Sequence, residues 1–385
     1  MRNCAIAGFV AGLIFLQSFS FAQTTAGLDS IPAHMREMIV QNEVPGVVTV
    51  VATRDSVLRM DAQGWADPGH KSPMRVDSIF WIASMSKPIT AAAVLMMMEE
   101  GKLSLDDPIS KYIPELGALK TADGKTPQIT LRHLLTHTSG MGEATILEAQ
   151  SARTLADLIP IFASKPLGFE PGTRWKYCQA GILTLARIVE IVSGERFDVF
   201  LQKRIFDPLG MKDTTFYLAE AQMPRLVIPA KREGEQLLPA EIALLYGHPA
   251  TWRDHYPAAN GGLFSTAPDY TRFAQMLLND GALDGKRYLS EESVRMMSTV
   301  QTGELLTGFT PGNGWGLGVC IVRQPQGLTE MLSPGTFGHG GAYGTQAWVD
   351  RKKGVVLIMM VQRSNFKNSD ASLVRAAFQT AALGD

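Results

Sequence analysis

The chain has 385 residues, 45% hydrophobic and 19% charged, which allows one large α/β body or two to three smaller folding units. Its 36 basic and 37 acidic side chains give a formal net charge of −1, and no block of five or more like charges occurs. It therefore has no electrostatic footprint for a phosphate backbone or an anionic membrane surface, and nucleic-acid binding is not expected.

The chain opens with Arg2, an apolar stretch over residues 4–16, and Ser20-Phe21-Ala22 ahead of polar Gln23-Thr24-Thr25. The stretch is shorter than the ~20 residues a membrane span needs, and Gln17 and Ser18 interrupt its end. The pattern reads as a secretory signal (residues 1–22) cleaved near Ala22, giving a periplasmic or secreted product with no stable membrane span. Cys178 and Cys320 remain in the mature chain, too few for a disulfide scaffold, and a bridge between them is left open.

Ile31, Met35, Met38 and Ile39 predict a helix over residues 29–41, with Asp29 or Ser30 as candidate cap and Pro32 in its first turn. Pro45-Gly46 then introduces a β-branched run at 47–52, and a second run at 57–62 follows the polar turn Arg54-Asp55-Ser56, which together read as a hairpin. From residue 89 to about 215 the pattern is helical, with segments at 91–98, 131–135, 155–162, 182–192 and 197–205 separated by Pro and Gly. After Gly261 a helix at 269–278 precedes strand-like runs at 316–322, 345–349 and 355–362, and a terminal helix spans 369–382.

Separate small domains would leave the first hairpin unpaired, so the early and late strands should share one sheet. The expected fold class is α/β of the α+β type. An antiparallel sheet flanked by the N- and C-terminal helices (residues 23–83 and 230–385) receives a mostly helical insertion (84–229), with the site in the cleft between them.

Ser84-Met85-Ser86-Lys87 leads into an almost unbroken apolar run, 89–98, ended by Glu99-Glu100-Gly101. A helix starting at or just before Ser84 places Lys87 three residues on, on the same face. Near the positive end of the helix dipole and in apolar surroundings its ammonium is disfavoured, and a neutral amine can take the serine proton. Ser364-Asn365-Phe366-Lys367 has the same spacing, but it sits in a polar turn that would not desolvate its lysine.

His133 and His137 are four apart, as in a helical zinc pair, but no glutamate stands beside the first. The favoured reading is a helix end, with Gly140 as C-cap. The chain has no Gly-x-Ser-x-Gly elbow, dinucleotide fingerprint or P-loop, so no cofactor is expected. Tyr177 stands at a helix entrance. His339-Gly340-Gly341-Ala342 lies in a glycine-dense stretch that reads equally as an oxyanion-binding backbone or as a tight hairpin turn.

Taken together, Ser84-Met85-Ser86-Lys87, the 134–140 segment Leu-Leu-Thr-His-Thr-Ser-Gly, Pro171-Gly172 with Tyr177, the 261–266 segment Gly-Gly-Leu-Phe-Ser-Thr and His339-Gly340-Gly341 resemble the serine hydrolases related to penicillin-binding proteins and class C β-lactamases. The likeness runs from about residue 28 to 383 and is closest to the family VIII carboxylesterases. It implies Ser84 as acylated nucleophile, Lys87 as base or proton relay and Tyr177 as proton shuttle to the leaving group. The Ser84 and Ala342 N–H groups would form the oxyanion hole, Gln179, His339, Gly340 and Gly341 would contact substrate, and no metal is required.

Two departures bear on substrate. Where such β-lactamases carry Tyr-x-Asn and Lys-Thr-Gly, this chain has Tyr177-Cys178-Gln179 and His339-Gly340-Gly341. The longer amide shifts any contact to a substrate amide, and a histidine largely neutral at pH 7 weakens recognition of a carboxylate. Ester hydrolysis on a small molecule is therefore expected first, and β-lactam or D-amino-acid peptide hydrolysis second. A non-catalytic penicillin-recognising sensor comes third. Trp175, Trp252, His255, Tyr256, Trp315 and Tyr343 lie near the motif-bearing loops and read equally as pocket lining or as core.

Overall fold

The structure, a computed structural model, describes residues 27–384, and the expected signal segment lies outside them. Helix α1 (Ile31–Val40) precedes a hairpin of β1 (Gly46–Ala52) and β2 (Val57–Gly64). Five later strands complete the sheet: β3 (Asn313–Trp315), β4 (Cys320–Val322), β5 (Phe337–Gly340), β6 (Gln346–Asp350) and β7 (Val355–Met360). Their order is β2-β1-β7-β6-β5-β4-β3, antiparallel throughout, so the first hairpin docks onto the last strand.

β1 is buried along its whole length, which is why its sequence Gly-Val-Val-Thr-Val-Val-Ala shows no polar alternation. The period of two divides its valines between two cores instead. Val48 and Val50 pair with Met360 and Ile358 and face the larger core, whereas Val47 and Val51 face the smaller one with Met35, Val374 and Phe378. The smaller core is closed by α1 and the terminal helix α6 (Leu373–Leu383), which pack on each other. The larger holds α5 (Ala267–Leu278), packed on β1, β6 and β7, and α2 (Ser86–Glu99). Helix α2 is buried from Ser86 to Met97, consistent with a segment apolar on every side.

Further helices between α2 and α5 include α3 (Leu131–Leu135) and α4 (Gln179–Ser193). The chain is thus an antiparallel sheet flanked by terminal helices, with a largely helical stretch between its early and late strands.

Several boundaries differ from the sequence reading. Residues 83–85 form a tighter 3₁₀ turn, and α2 begins at Ser86 rather than at or before Ser84. Of the expected strand 316–322 only 320–322 (β4) is strand; residues 316–319 form the turn that joins it to β3, where Gly318 has φ +70° and lies so close to α2 that a side chain there would meet Ala91. The sequence reading places no strand at β5, whose glycine-dense stretch it leaves equally as an oxyanion-binding backbone or a hairpin turn. Gly338 belongs to a strand all the same, and an added Cβ would stand 2.0 Å from Ala347 O of β6. Helix α3 ends at Leu135, and His137 itself takes the left-handed conformation (φ +58°), so Gly140 is not its C-cap. At the C-terminus, residues 369–371 form a 3₁₀ turn, and Ser372 caps α6 by accepting from Arg375 N–H at 3.2 Å.

Candidate active site

Ser84 stands on a strained turn. The short strand Phe80–Trp81 pairs with Phe264–Ser265, Ile82 N–H donates to Leu263 O at 3.0 Å, and Ala83 then adopts φ +46°. A left-handed alanine costs roughly 1–2 kcal/mol and persists only where its surroundings hold it. Ser86 does so: its buried hydroxyl donates to Ala83 O at 2.7 Å and accepts from Leu263 N–H at 3.2 Å. Thr90 Oγ1 donates to Ala259 O at 3.0 Å, fastening α2 to the 259–263 segment.

Lys87 reaches back from the first turn of α2. Its Nζ is 3.0 Å from Ser84 Oγ and 2.5 Å from Asn260 O, and it sits 4.6 Å from the centre of the Tyr177 ring. Both hydrogen-bond partners are neutral, so no anionic group in contact with the ammonium offsets its desolvation. Burial brings Lys87 down from the ordinary lysine range to about 7, with the Glu143 carboxylate and then Cys178 partly opposing the shift.

Tyr177 precedes α4, whose first turn is held by Glu143: the carboxylate accepts from Gln179 N–H at 2.6 Å and Ala180 N–H at 2.9 Å, while Cys178 Sγ caps Gly181 N–H at 3.4 Å. Around the phenol, ring centres of His137, Phe309 and Trp315 lie 4.4, 5.1 and 5.8 Å away. Burial pushes the Tyr177 phenol well above its usual range, with the nearby Ser84 hydroxyl partly opposing the shift.

Strand β5 presents Phe337 and His339 on the face packed by α2, opposite Val349 and Ala347. His339 Nε2 is 3.2 Å from Tyr177 Oη, and its Nδ1 is 2.6 Å from Gly340 O. Burial, and secondly the nearby Lys87 charge, bring the imidazole down to about 3, so it is neutral at pH 7.

After β5 the backbone turns over residues 341–344, closed by Gly341 N–H to Thr345 O at 2.7 Å and Gly344 N–H to Gly341 O at 2.9 Å. The Ala342 amide enters neither bond. A Cβ at Gly341 would be 2.7 Å from Ile82 O, which places this turn against the strand end that carries Ser84. At Gly340 a Cβ would strike Asp370 Oδ1.

Gln179, expected to contact substrate, accepts from Asn260 Nδ2 at 3.1 Å, and the Asn260 backbone carbonyl in turn accepts from Lys87. Ser86 and Asn260 were missed by the sequence reading. Ser86 is the inner serine of the motif, but Asn260 carried only its place beside Gly261-Gly262 as a signal.

The second serine–lysine copy lies in a turn, with Ser364 bonded to Ala230 O and Lys367 exposed. His133 Nδ1 accepts from Thr130 N–H and His137 Nδ1 from Cys178 N–H, each at 3.2 Å. Cys178 and Cys320 are buried free thiols, each pushed up to about 12 by burial. Trp175 and Trp315 belong to the cluster around Tyr177, and Tyr343 packs edge-on against Trp81 at 4.7 Å. Trp252, His255 and Tyr256 line a second small aromatic cavity bounded by Trp81, Gly262 and Phe264.

A family model described as Beta-lactamase matches residues 31–382. Esterase EstB of Burkholderia gladioli is 31% identical over 378 residues, covering 89% of this chain and 91% of its own length. Penicillin-binding protein 4 of Amycolatopsis lactamdurans is also 31% identical, over 324 residues, covering 82% of this chain and 80% of its own. Among solved structures, EstCE1, a hydrolase with promiscuous acyltransferase activity, superposes with a TM-score of 0.79 at 23% identity, covering 95% of this chain and 100% of that one, a likeness of fold.

Proposed function

The chain belongs to the beta-lactamase family, whose members here are serine hydrolases, and from that membership we propose that it hydrolyses carboxylic esters of small molecules through an acyl-enzyme on Ser84. The observation that carries the reading is Lys87 Nζ at 3.0 Å from Ser84 Oγ, in a setting that brings its ammonium down to about 7. A general base is most effective when its own ionisation lies near the working pH.

Neutral Lys87 takes the Ser84 proton as Oγ attacks the ester carbonyl. The resulting oxyanion lies against the Ser84 and Ala342 amides, which are aimed by the Ala83 and 341–344 turns. Collapse breaks the bond to the alkoxide, which leaves with a proton from Tyr177. Water then repeats the sequence on the acyl group, and every proton moves between Ser84, Lys87, Tyr177 and the reactants.

Two features favour an ester over a penicillin or cephalosporin. His339 is held neutral, so the site lacks the cation a substrate carboxylate would meet there, and Gln179 is engaged by Asn260. The 31% identity to an esterase over most of both chains supports the same choice, while the similar identity to a penicillin-binding protein makes β-lactam turnover the rival. The leader pattern of residues 1–22 supports a periplasmic or secreted location for this chemistry.

The test is kcat/KM on a short-chain p-nitrophenyl ester and a chromogenic cephalosporin, with Ser84→Ala as control. The ester is preferred by at least about tenfold, equivalent to about 1.4 kcal/mol in the barrier, and the variant is inactive. Preference for the cephalosporin makes the protein a β-lactamase, and turnover of neither favours a sensor.

A further inference from the structure

The 134–140 segment, Leu-Leu-Thr-His-Thr-Ser-Gly, supplies no group to the proton transfers above, yet it runs beside the stretch that delivers Tyr177. Gly168 N–H donates to Gly140 O at 2.8 Å, Gly172 N–H to Thr138 O at 2.8 Å and Lys176 N–H to His137 O at 3.0 Å. Cys178 N–H then donates to the ring of His137, at Nδ1, over 3.2 Å. One residue thus takes the amides on both sides of Tyr177, the first with its carbonyl and the second with its imidazole. Glu143 takes the next two, those of Gln179 and Ala180.

Histidine is a costly choice at position 137. Its backbone is left-handed (φ +58°), a conformation that glycine adopts freely and asparagine more readily than most residues. Its side chain is fully buried. A backbone N–H only donates, so the Cys178 contact requires a bare lone pair on Nδ1, and the neutral ring carries its proton on Nε2. Among the described residues that Nε2–H has no hydrogen-bond partner, and the ring centres of Tyr177, Trp315 and Trp175 lie 4.4, 5.1 and 6.1 Å from its own. A left-handed backbone and an unpaired buried donor at one residue are kept where they serve a site rather than stability.

Resting on the serine-esterase reading above, we infer that His137 is a positioning residue for Tyr177: its carbonyl and its ring nitrogen hold the chain on both sides of the tyrosine and so fix where the phenol meets the leaving group.

Tyr177 needs such a holder. It precedes α4, so no hydrogen bond within that helix fixes its backbone, and its phenol has His339 Nε2 at 3.2 Å only at the far end of the side chain. The Cys178 bond is the more telling of the two. Cys178 N–H shares a rigid peptide plane with the Tyr177 carbonyl, so holding that amide holds one of the two planes that meet at the Tyr177 Cα. The carbonyl bond to Lys176 survives any substitution at position 137, whereas the bond to Cys178 belongs to the side chain alone and can be removed by mutation. A phenol displaced by about 1 Å would no longer reach the departing alkoxide at hydrogen-bond distance, a loss of order 100-fold.

Kinetics and one spectroscopic measurement test this. In ester hydrolysis His137→Gly, which accepts the left-handed backbone and keeps the carbonyl, lowers kcat about 100-fold with KM within about twofold. His137→Asn places Oδ1 the same number of bonds from the backbone as Nδ1 and returns an acceptor to Cys178, so its kcat stays within about tenfold of the wild type. A ring that only filled space would be missed equally in both. In imidazole-¹⁵N-histidine-labelled protein at about pH 7, the His137 signal, assigned by its loss in His137→Asn, is that of a neutral ring with its proton on Nε2. Equal loss in the two variants, a kcat in His137→Gly within about threefold of the wild type, a raised KM at unchanged kcat, or a proton on Nδ1 overturns the inference. If His137→Gly does not fold, His137→Asn and the tautomer decide, and failure of either overturns it. If wild type and Ser84→Ala are equally inactive, the ester reading fails instead, and hydrogen exchange of the Cys178 amide decides the His137 contact: faster in His137→Gly and not in His137→Asn upholds it, and no difference overturns it.

Discussion

Ser86 shows how much of the site depends on a residue that takes no part in the chemistry. Its hydroxyl bonds both to Ala83 O, on the strained residue, and to Leu263 N–H, across the strand pair. Ser86→Ala leaves both backbone groups buried without that partner, at a cost of about 1–3 kcal/mol, and loosens the turn that aims Ser84. Urea denaturation should register that loss, and kcat should fall at least about tenfold with KM little changed; an unchanged kcat would remove Ser86 from the positioning of the nucleophile. Lys87→Arg keeps the side-chain charge at all working pH values and supplies no base. Ester turnover should then fall by about 10³-fold or more, whereas retention near the wild-type rate would show that another group takes the Ser84 proton. Ser84 and Lys87 could be read from the sequence because their chemistry needs only local context, a buried helix three residues away. Ser86 and Asn260 act through partners 177 and 173 residues distant, Leu263 and Lys87 respectively, and no local pattern reports such a contact.

At the scale of elements, the two-sided burial of β1 and β7 explains both what was legible and what was not. The β-branched run at 47–52 and the apolar run at 355–362 marked strands, and a sheet covered on both faces explains why neither alternates with polar residues. Strand β5 carried no such run: Phe-Gly-His-Gly pairs with β6 because its glycines permit close backbone approach, which hydrophobic periodicity does not detect. Gly338→Ala brings a methyl against Ala347 O, so β5 must separate from β6 and carry His339 with it. This variant should lose ester turnover along with thermal stability. Ile358→Ala, at the centre of β7 and away from the site residues, should cost about 2–5 kcal/mol in unfolding free energy while kcat of the folded enzyme is kept. A normal melting temperature for Gly338→Ala, or lost kcat in folded Ile358→Ala, would contradict this division of roles.

Across the whole molecule, the sheet and the α2–α4 region meet where four elements end: the 83–85 turn, the start of α4, the end of β5 and the 259–263 segment. Their convergence excludes water from Lys87, His137 and His339 together, so the burial that activates the lysine also keeps the imidazoles neutral. His339 is depressed to about 3 in the fold against about 6.5 in the unfolded chain, and His137 is depressed in the same direction. Below pH 6.5 the unfolded chain binds protons that the fold refuses, so stability present above 6.5 is lost as the pH falls toward 3. His339 contributes about 1.4 kcal/mol per pH unit within that window, and His137 adds in the same direction. Lys87, held at about 7 against about 10.4 unfolded, imposes the same slope from about pH 10.4 down to 7, so thermal melts should fall from alkaline pH and keep falling below 6.5; a melting temperature flat from about pH 6.5 to about 4.5 would show that these imidazoles are solvated.

The most direct test of the central claim, that a desolvated lysine activates Ser84, is the pH dependence of kcat/KM on a neutral ester whose own ionisation is silent. Lys87 must be unprotonated to accept the serine proton, so the account predicts a rate that rises tenfold per pH unit on the acid side, bends at about pH 7 and is level above it. A bend near the ordinary lysine value of about 10.4, or a rate independent of pH through neutrality, would contradict it.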